Sequence, residues 1–280
     1  VIQTKTGRKC VLAKRFVDAT GDADLAFYAG AETMSGRVED GMSQACSLEF
    51  TMGGVSFSEY LQSDIKKKDP RWVKTIREDV ESGVLPYAPD NHLNWITHLP
   101  GRPEGCGMDE VSICMAHSRR CYPTDNRDLT RMYFEGREQC RMLADYIRRR
   151  IPGFANAYLI TTAPLLGVRE SRRIVGEYIL SASDLAFSRK QDDVVTISNH
   201  GYDLHNFEEG GNTKWAPIEM DGEVKYVISS QAGFGTTTPP PNGKPVVNCH
   251  GQTAEFAEFE ANLYYDIPYR SLLPRRVDNL

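Results

Sequence analysis

Residues 15–30 read RFVDATGDADLAFYAG, and few folds accommodate such a stretch. Apolar Val11, Leu12 and Ala13, then Phe16 and Val17, predict a strand that runs into Asp18-Ala19-Thr20-Gly21-Asp22. A helical apolar run follows from Leu25 to Ala29, and Gly30 can close it. Strand, small-residue turn and helix together set backbone N–H groups against a phosphate. A plain strand-to-helix turn held by a capping aspartate fits the same residues. In the first reading the backbone of Ala19, Thr20 and Gly21 makes the phosphate-side contact, because a carboxylate facing a diphosphate would repel it.

Three stretches carry a resemblance. They are VLAKRFVDATGDADLAFYAGAETMSGRVEDG at 11–41, TTAPLLGVRESRRIVGEYIL at 161–180 and DIPYRSLLPRRVDNL at 266–280. In this order they resemble the FAD-dependent oxidoreductase family, glutathione-reductase-like flavoproteins often grouped with the heterodisulfide reductase A-like proteins. Residues 207–262 match that pattern poorly. The resemblance implies an α/β (α+β) fold: a partial FAD/NAD(P)-binding domain of glutathione-reductase type, a mixed or antiparallel β-sheet substrate domain and a helical insertion. The expected division is 1–57 for the later part of the FAD domain, 58–157 for a mainly helical insertion, and 158–280 for a β-rich substrate domain returning to the FAD domain. The family's Gly-rich GxGxxG unit is expected upstream of the DATGD turn. Here only Gly233-Phe234-Gly235 approaches it, and Pro239-Pro240-Pro241 forbids a helix after it. The expectation is therefore an internal fragment whose FAD site is incomplete.

The same resemblance implies hydride transfer between a small organic substrate and FAD. Ala19, Thr20, Gly21 and Asp22 are then the cofactor-binding residues, with Asp22 orienting a ribityl or ribose hydroxyl. Arg169 looks like the family arginine that follows the glycine near the flavin, placed to hold a substrate carboxylate or an anionic reduced flavin. Three arginines within five residues (Arg169, Arg172, Arg173) must pair with acids or face an anion, and Glu170 and Glu177 are the nearby acids. Asp203 and His205 stand two apart, so on a strand they share a face, and Asp203 would orient His205 as a general base. Tyr269-Arg270 lies on the active-site side by resemblance alone. An inactive, flavoprotein-derived binding or structural module is the alternative reading.

Composition narrows the classes. Formal net charge is −5, with 33 basic and 38 acidic residues, so a general nucleic-acid binder is not expected. No run of eighteen apolar residues occurs, so no membrane span is expected. The 7 cysteines contain no CxxC pair and show neither zinc nor iron–sulphur spacing. No metal site is expected, and an iron–sulphur cluster would belong to sequence outside this chain. An odd cysteine count without a framework suits a reducing, cytoplasmic compartment.

Periodicity fixes several further elements. Strands are expected at 47–52, 111–117, 158–162, 173–180, 194–198, 224–229 and 264–269. Helices are expected at 59–68, from Asp69-Pro70 to Glu81, and, most clearly, from Arg127 to Arg149, with Leu129, Met132, Tyr133, Cys140, Leu143 and Ile147 on one face. His92, His98, His117, His200 and His250 have no defined partner in the sequence and read as structural or exposed.

Overall fold

The computed structural model describes residues 1–101, 108–199, 205, 214–230 and 264–277. In chain order the elements are β1 (Ile2–Thr4), β2 (Gly7–Lys9), α1 (Asp24–Tyr28), β3 (Thr33–Ser35), β4 (Cys46–Val55), α2 (Phe57–Gln62), α3 (Asp64–Lys68) and α4 (Val73–Glu81). Next come β5 (Trp95–His98), β6 (Asp109–Ser118), α5 (Asn126–Arg150), β7 (Tyr158–Thr162), β8 (Arg172–Ile174), α6 (Ala182–Ala186), β9 (Val194–Ser198), β10 (Lys214–Met220), β11 (Glu223–Ser230) and β12 (Tyr265–Pro268). The result is a mixed α/β chain with antiparallel sheets. It divides into two compact units: Val1–Ser35, Ser171–Asn199 and Leu263–Leu280 form one, and Gly36–Glu170 with His200–Asn262 form the other. Among the described residues no helix is long and apolar enough to cross a membrane.

The second unit holds the main core. Its sheet has the order β5-β6-β4-β7, all antiparallel neighbours. Helix α5 covers it, burying Met132, Cys140, Leu143 and Ile147 of the expected face together with Tyr146, while Leu129 and Tyr133 are partly buried. Asp125 starts this helix by accepting the Arg127 N–H at 2.7 Å. Burying side chains such as Phe50, Met52, Ile113 and Phe154 contributes about 1.5–3 kcal/mol each. Asp79 on α4 accepts the Tyr146 hydroxyl at 2.8 Å and the Arg150 Nε–H at 2.7 Å, which ties α4 to α5. The three arginines that end α5 are consumed in ion pairs, Arg148 and Arg149 with Asp145 and Arg150 with Asp79.

The first unit is built from short pieces. β3 pairs with β8 and β9 with β12. Asp184 caps α6 from within: its Oδ2 accepts the Ser181 N–H at 2.7 Å and its Oδ1 the Tyr178 hydroxyl at 2.5 Å. Arg270 is an ion-pair partner here, its guanidinium 3.0 and 3.1 Å from Asp193 and facing the Tyr178 ring at 5.3 Å. Tyr269 is exposed in a short 3-10 turn.

Several elements differ from the sequence expectation. Residues 10–17 form no strand: β2 ends at Lys9, and Val11, Leu12 and Val17 stay exposed. Apolar residues make a strand only where a ladder partner exists, and among the described residues no sheet takes in this segment. The helix expected at 59–68 is two, because Ser63 turns extended between them. Its hydroxyl donates to the Tyr60 carbonyl at 2.6 Å and accepts the Lys66 N–H at 3.2 Å, ending one helix and starting the next. α4 begins at Val73 rather than after Pro70, since Trp72 adopts a left-handed conformation to bury its whole indole. β4 continues through Gly53-Gly54 to Val55, with a register shift against β6 in place of the expected stop. β8 covers only Arg172–Ile174 of the 173–180 run. Cys46, Cys114, Cys121 and Cys140 are buried free thiols, as structural cysteines should be, while Cys10 is exposed; Cys106 and Cys249 lie outside the described residues.

Candidate functional site

The turn of the first unit organises itself. Asp18 Oδ1 accepts the Thr20 N–H at 2.9 Å and the Thr20 hydroxyl at 2.7 Å, while Oδ2 accepts the Ala26 N–H at 2.8 Å. Thr20 Oγ1 in turn accepts the Asp24 N–H at 2.8 Å. Partial burial pushes the Asp18 carboxyl up, but bonds from the N–H groups of Ala26, Thr20 and Leu25 and from the Thr20 hydroxyl outweigh it and hold the group below its ordinary value. Gly21 sits at φ 84°, a left-handed conformation that glycine adopts without strain, and open space surrounds the point where a Cβ would stand. Ala19, Thr20 and Gly21 are exposed. Asp22 is tied by its carboxylate to the Ser171 hydroxyl, and Arg172 pairs with Asp24 while its guanidinium lies 4.3 Å from the centre of the Phe27 ring. Asp24 therefore supplies the acid for Arg172, a partner that spacing along the chain does not suggest.

A second constellation forms in the second unit, at the end of β6. Ser47 on β4 stands opposite His117 on β6. On its other side Ser47 exchanges two backbone bonds with Gly167, at 3.1 and 2.8 Å. A Cβ on residue 167 would meet Ser47 Oγ at 2.6 Å, so glycine permits the approach. This bridge delivers Arg169, two residues later, to His117: Nη2 lies 3.3 Å from His117 Nε2. A guanidinium can only donate, so that ring nitrogen accepts.

The 90–94 segment arrives from the opposite edge. Asn94 donates its N–H to the Cys114 carbonyl, Leu93 donates to the Arg71 carbonyl, and Trp95 pairs with Cys114, so the segment runs back along the end of β6. Asp90 Oδ2 accepts from Asn94 Nδ2 at 3.0 Å and stands 3.5 Å from His117 Nδ1. Oδ1 accepts the Asn91 N–H at 2.8 Å and lies 3.3 Å from His92 Nδ1. His92 is buried, with Nδ1 2.8 Å from Asn91 Oδ1 and Nε2 3.2 Å from Asn94 Oδ1. Burial raises the Asp90 carboxyl, yet the bond from His92, the nearby His117 and the Asn94 amide reverse this and keep it ionised far below the usual carboxylate range. His117 is pushed down to about 4, chiefly by burial; Asp90 pulls upward, and His205 and Arg169 push down again. Its ring is therefore neutral near pH 7.

His205 completes the group. Its ring lies parallel to that of His117, centroids 5.5 Å apart and planes at 15°, and its backbone N–H donates to Gln44 Oε1 at 2.7 Å. The Gln44 N–H in turn donates to Glu170 Oε1 at 2.9 Å. Asp90, His117 and His205 each offer a ligand atom, and these atoms lie within 4.8 Å of one another.

Of the residues expected from sequence, Arg169 and His205 thus meet in one cluster. Asp203 lies outside the described residues. His117 and His92, expected as structural or exposed, are both buried in this cluster, and Asp90 carries no expectation from the sequence. The available signal was Asp90-Asn91-His92-Leu93-Asn94, four polar residues with one leucine just before a strand. It gains meaning only when β5 pairs with β6.

The model of the family described as FAD dependent oxidoreductase matches residues 1–232. No curated protein matches the chain, and no solved structure does.

Proposed function

The chain belongs to the FAD dependent oxidoreductase family, and from that premise we propose that it binds FAD along the Asp18–Asp22 turn and oxidises a small organic substrate by hydride transfer. Ala19, Thr20, Gly21 and Asp22 are the residues assigned to the cofactor. The turn suits a diphosphate: Gly21 leaves open space beside its backbone, and Asp18 spends its carboxylate on inward bonds. The Thr20 amide is also committed inside the turn, which leaves the exposed backbone of Ala19 and Gly21 for the approach. α1 has only five residues, so the reading rests on the turn and not on a helix dipole. We read the first unit as part of an FAD-binding domain of the glutathione-reductase type.

FAD, when bound, supplies the acceptor for two electrons and a proton. The remaining work falls to the protein. Arg169 holds a substrate carboxylate or would stabilise the negative charge of the reduced flavin. His205, the half-exposed ring of the cluster, receives the hydroxyl or amine proton. His117, neutral and wedged between Asp90 and Arg169, positions both neighbours. The observation that carries this reading is the convergence of Arg169 and His205 on His117 from remote stretches of sequence.

Difference absorption spectra of the purified chain titrated with FAD test the cofactor half; because the chain carries no GxGxxG unit, weak but saturable binding is the expected result. Anaerobic bleaching by a panel of small hydroxy acids and amino acids tests the substrate half. Arg169→Gln should slow bleaching roughly 100-fold while bound flavin stays constant. A chain whose addition leaves the FAD spectrum unchanged supports the inactive binding module instead.

A further inference from the structure

We propose that Asp90, His117 and His205 form a binding site for a divalent transition ion of the zinc or cobalt type. Two imidazoles and one carboxylate are a donor set such ions accept, with a further position left for water. His117 Nδ1 and Asp90 Oδ2 stand 3.5 Å apart. Two ligands at about 2.0–2.1 Å from a tetrahedral ion lie roughly 3.3–3.4 Å from each other. The pair therefore already spans one edge of such a polyhedron, and the His205 ligand atom lies within 4.8 Å of both. The independent observation is His117 itself: it is 2% exposed, and its Nδ1 is buried without a hydrogen-bond partner although a carboxylate faces it. A buried polar atom normally finds a partner, and an ion between Nδ1 and Oδ2 supplies one to both. Asp90 stays ionised at this depth, and its Asn91 and Asn94 bonds fix its orientation as outer partners of a metal carboxylate do.

Arg169 opposes the ion, and this makes the proposal specific. With Nδ1 on the metal, His117 carries its proton on Nε2, where it faces the Arg169 N–H groups now 3.3 Å away. Metal binding must therefore turn Arg169 aside. The ion also takes the lone pair with which His205 would receive a proton, so occupancy and turnover are mutually exclusive at this cluster; that last consequence alone rests on the proposed function.

The test is a titration of the metal-stripped 280-residue chain with Co2+, without added flavin, followed by displacement with Zn2+. The expected result is one equivalent of Co2+ with the intense visible d–d bands of a four- or five-coordinate nitrogen–oxygen site. His205→Ala and Asp90→Asn should each weaken binding at least tenfold with unchanged circular dichroism. Arg169→Gln should tighten it, because a cation is removed and the new amide oxygen accepts from Nε2–H. No stoichiometric Co2+ uptake by the wild-type chain overturns the proposal. So does uptake with thiolate-to-metal charge-transfer bands, or uptake indifferent to His205→Ala and Asp90→Asn, since the ion would then sit on cysteines or elsewhere. Because flavin is absent, failure here leaves the oxidoreductase reading untouched, and failure of FAD binding leaves this one untouched.

Discussion

The Asp18–Asp22 turn and the Asp90–His117–Arg169–His205 cluster hold their polar groups in opposite ways. The turn is contiguous, exposed and held by bonds spanning two to eight residues. The cluster is assembled from remote segments, and its centre, His117, is buried. A local device of this kind tolerates weak surroundings, since each bond is closed by neighbours in sequence. A buried device depends on every segment arriving, because a charge left alone in the core is costly.

Substitutions can break this contrast. Asp90→Ala carries the largest expected effect: it leaves His92, His117 and Asn94 without their buried acceptor and should cost about 3 kcal/mol in urea unfolding. A loss below about 1 kcal/mol, the scale of an exposed pair, would show that the cluster is no interdependent unit. Gly167→Val drives a side chain onto Ser47 and should cost about 2 kcal/mol. It should also speed amide exchange at Ser47 and lower flavin bleaching through a displaced Arg169.

Effects in the turn should be smaller. Gly21→Ala meets open space, so only its φ of 84° penalises it, by about 1 kcal/mol. The same variant should weaken FAD binding several-fold by crowding the approach, and unchanged binding would remove the turn from the cofactor site. The smallest effect is a pH dependence. Asp18 has a lowered pKa in the folded chain, so its contribution to stability is fully present above the unfolded value of about 4 and fades as pH falls through the folded value. Thermal melts between pH 7 and pH 3 should show Asp18→Asn losing its deficit relative to wild type at the acid end. A deficit constant across that range would mean the carboxylate charge is irrelevant to the turn.

The exposed turn was legible from sequence because its causes are local. Asp18, Thr20, Gly21 and Asp24 act on one another within a few residues, and spacing along the chain stands for distance in space. The same holds for α5, whose buried face follows the helical period, and for β4, β6 and β7. Where a partner was needed, spacing failed. Residues 10–17 carry the apolar residues of a strand but join no sheet among the described residues, and Arg172 takes Asp24 rather than an acid beside it in sequence.

Arg169 and His205 were expected as separate features, and Asp203, the expected companion of His205, lies outside the described residues. The sheet brings both to His117. Pairing of β5 with β6 brought Asp90 and His92 to His117, and the Ser47–Gly167 bridge brought Arg169. The amino-acid order by itself determined which residues carry charge, which stretches can turn or coil, and the family to which the chain belongs. Tertiary structure alone decided which histidine is buried and neutral, which aspartate stays ionised in the core, and which rings face each other. Proton affinity and ligand geometry depend on dielectric surroundings and on separations of a few ångströms, and neither is written in a sequence until the strands have paired.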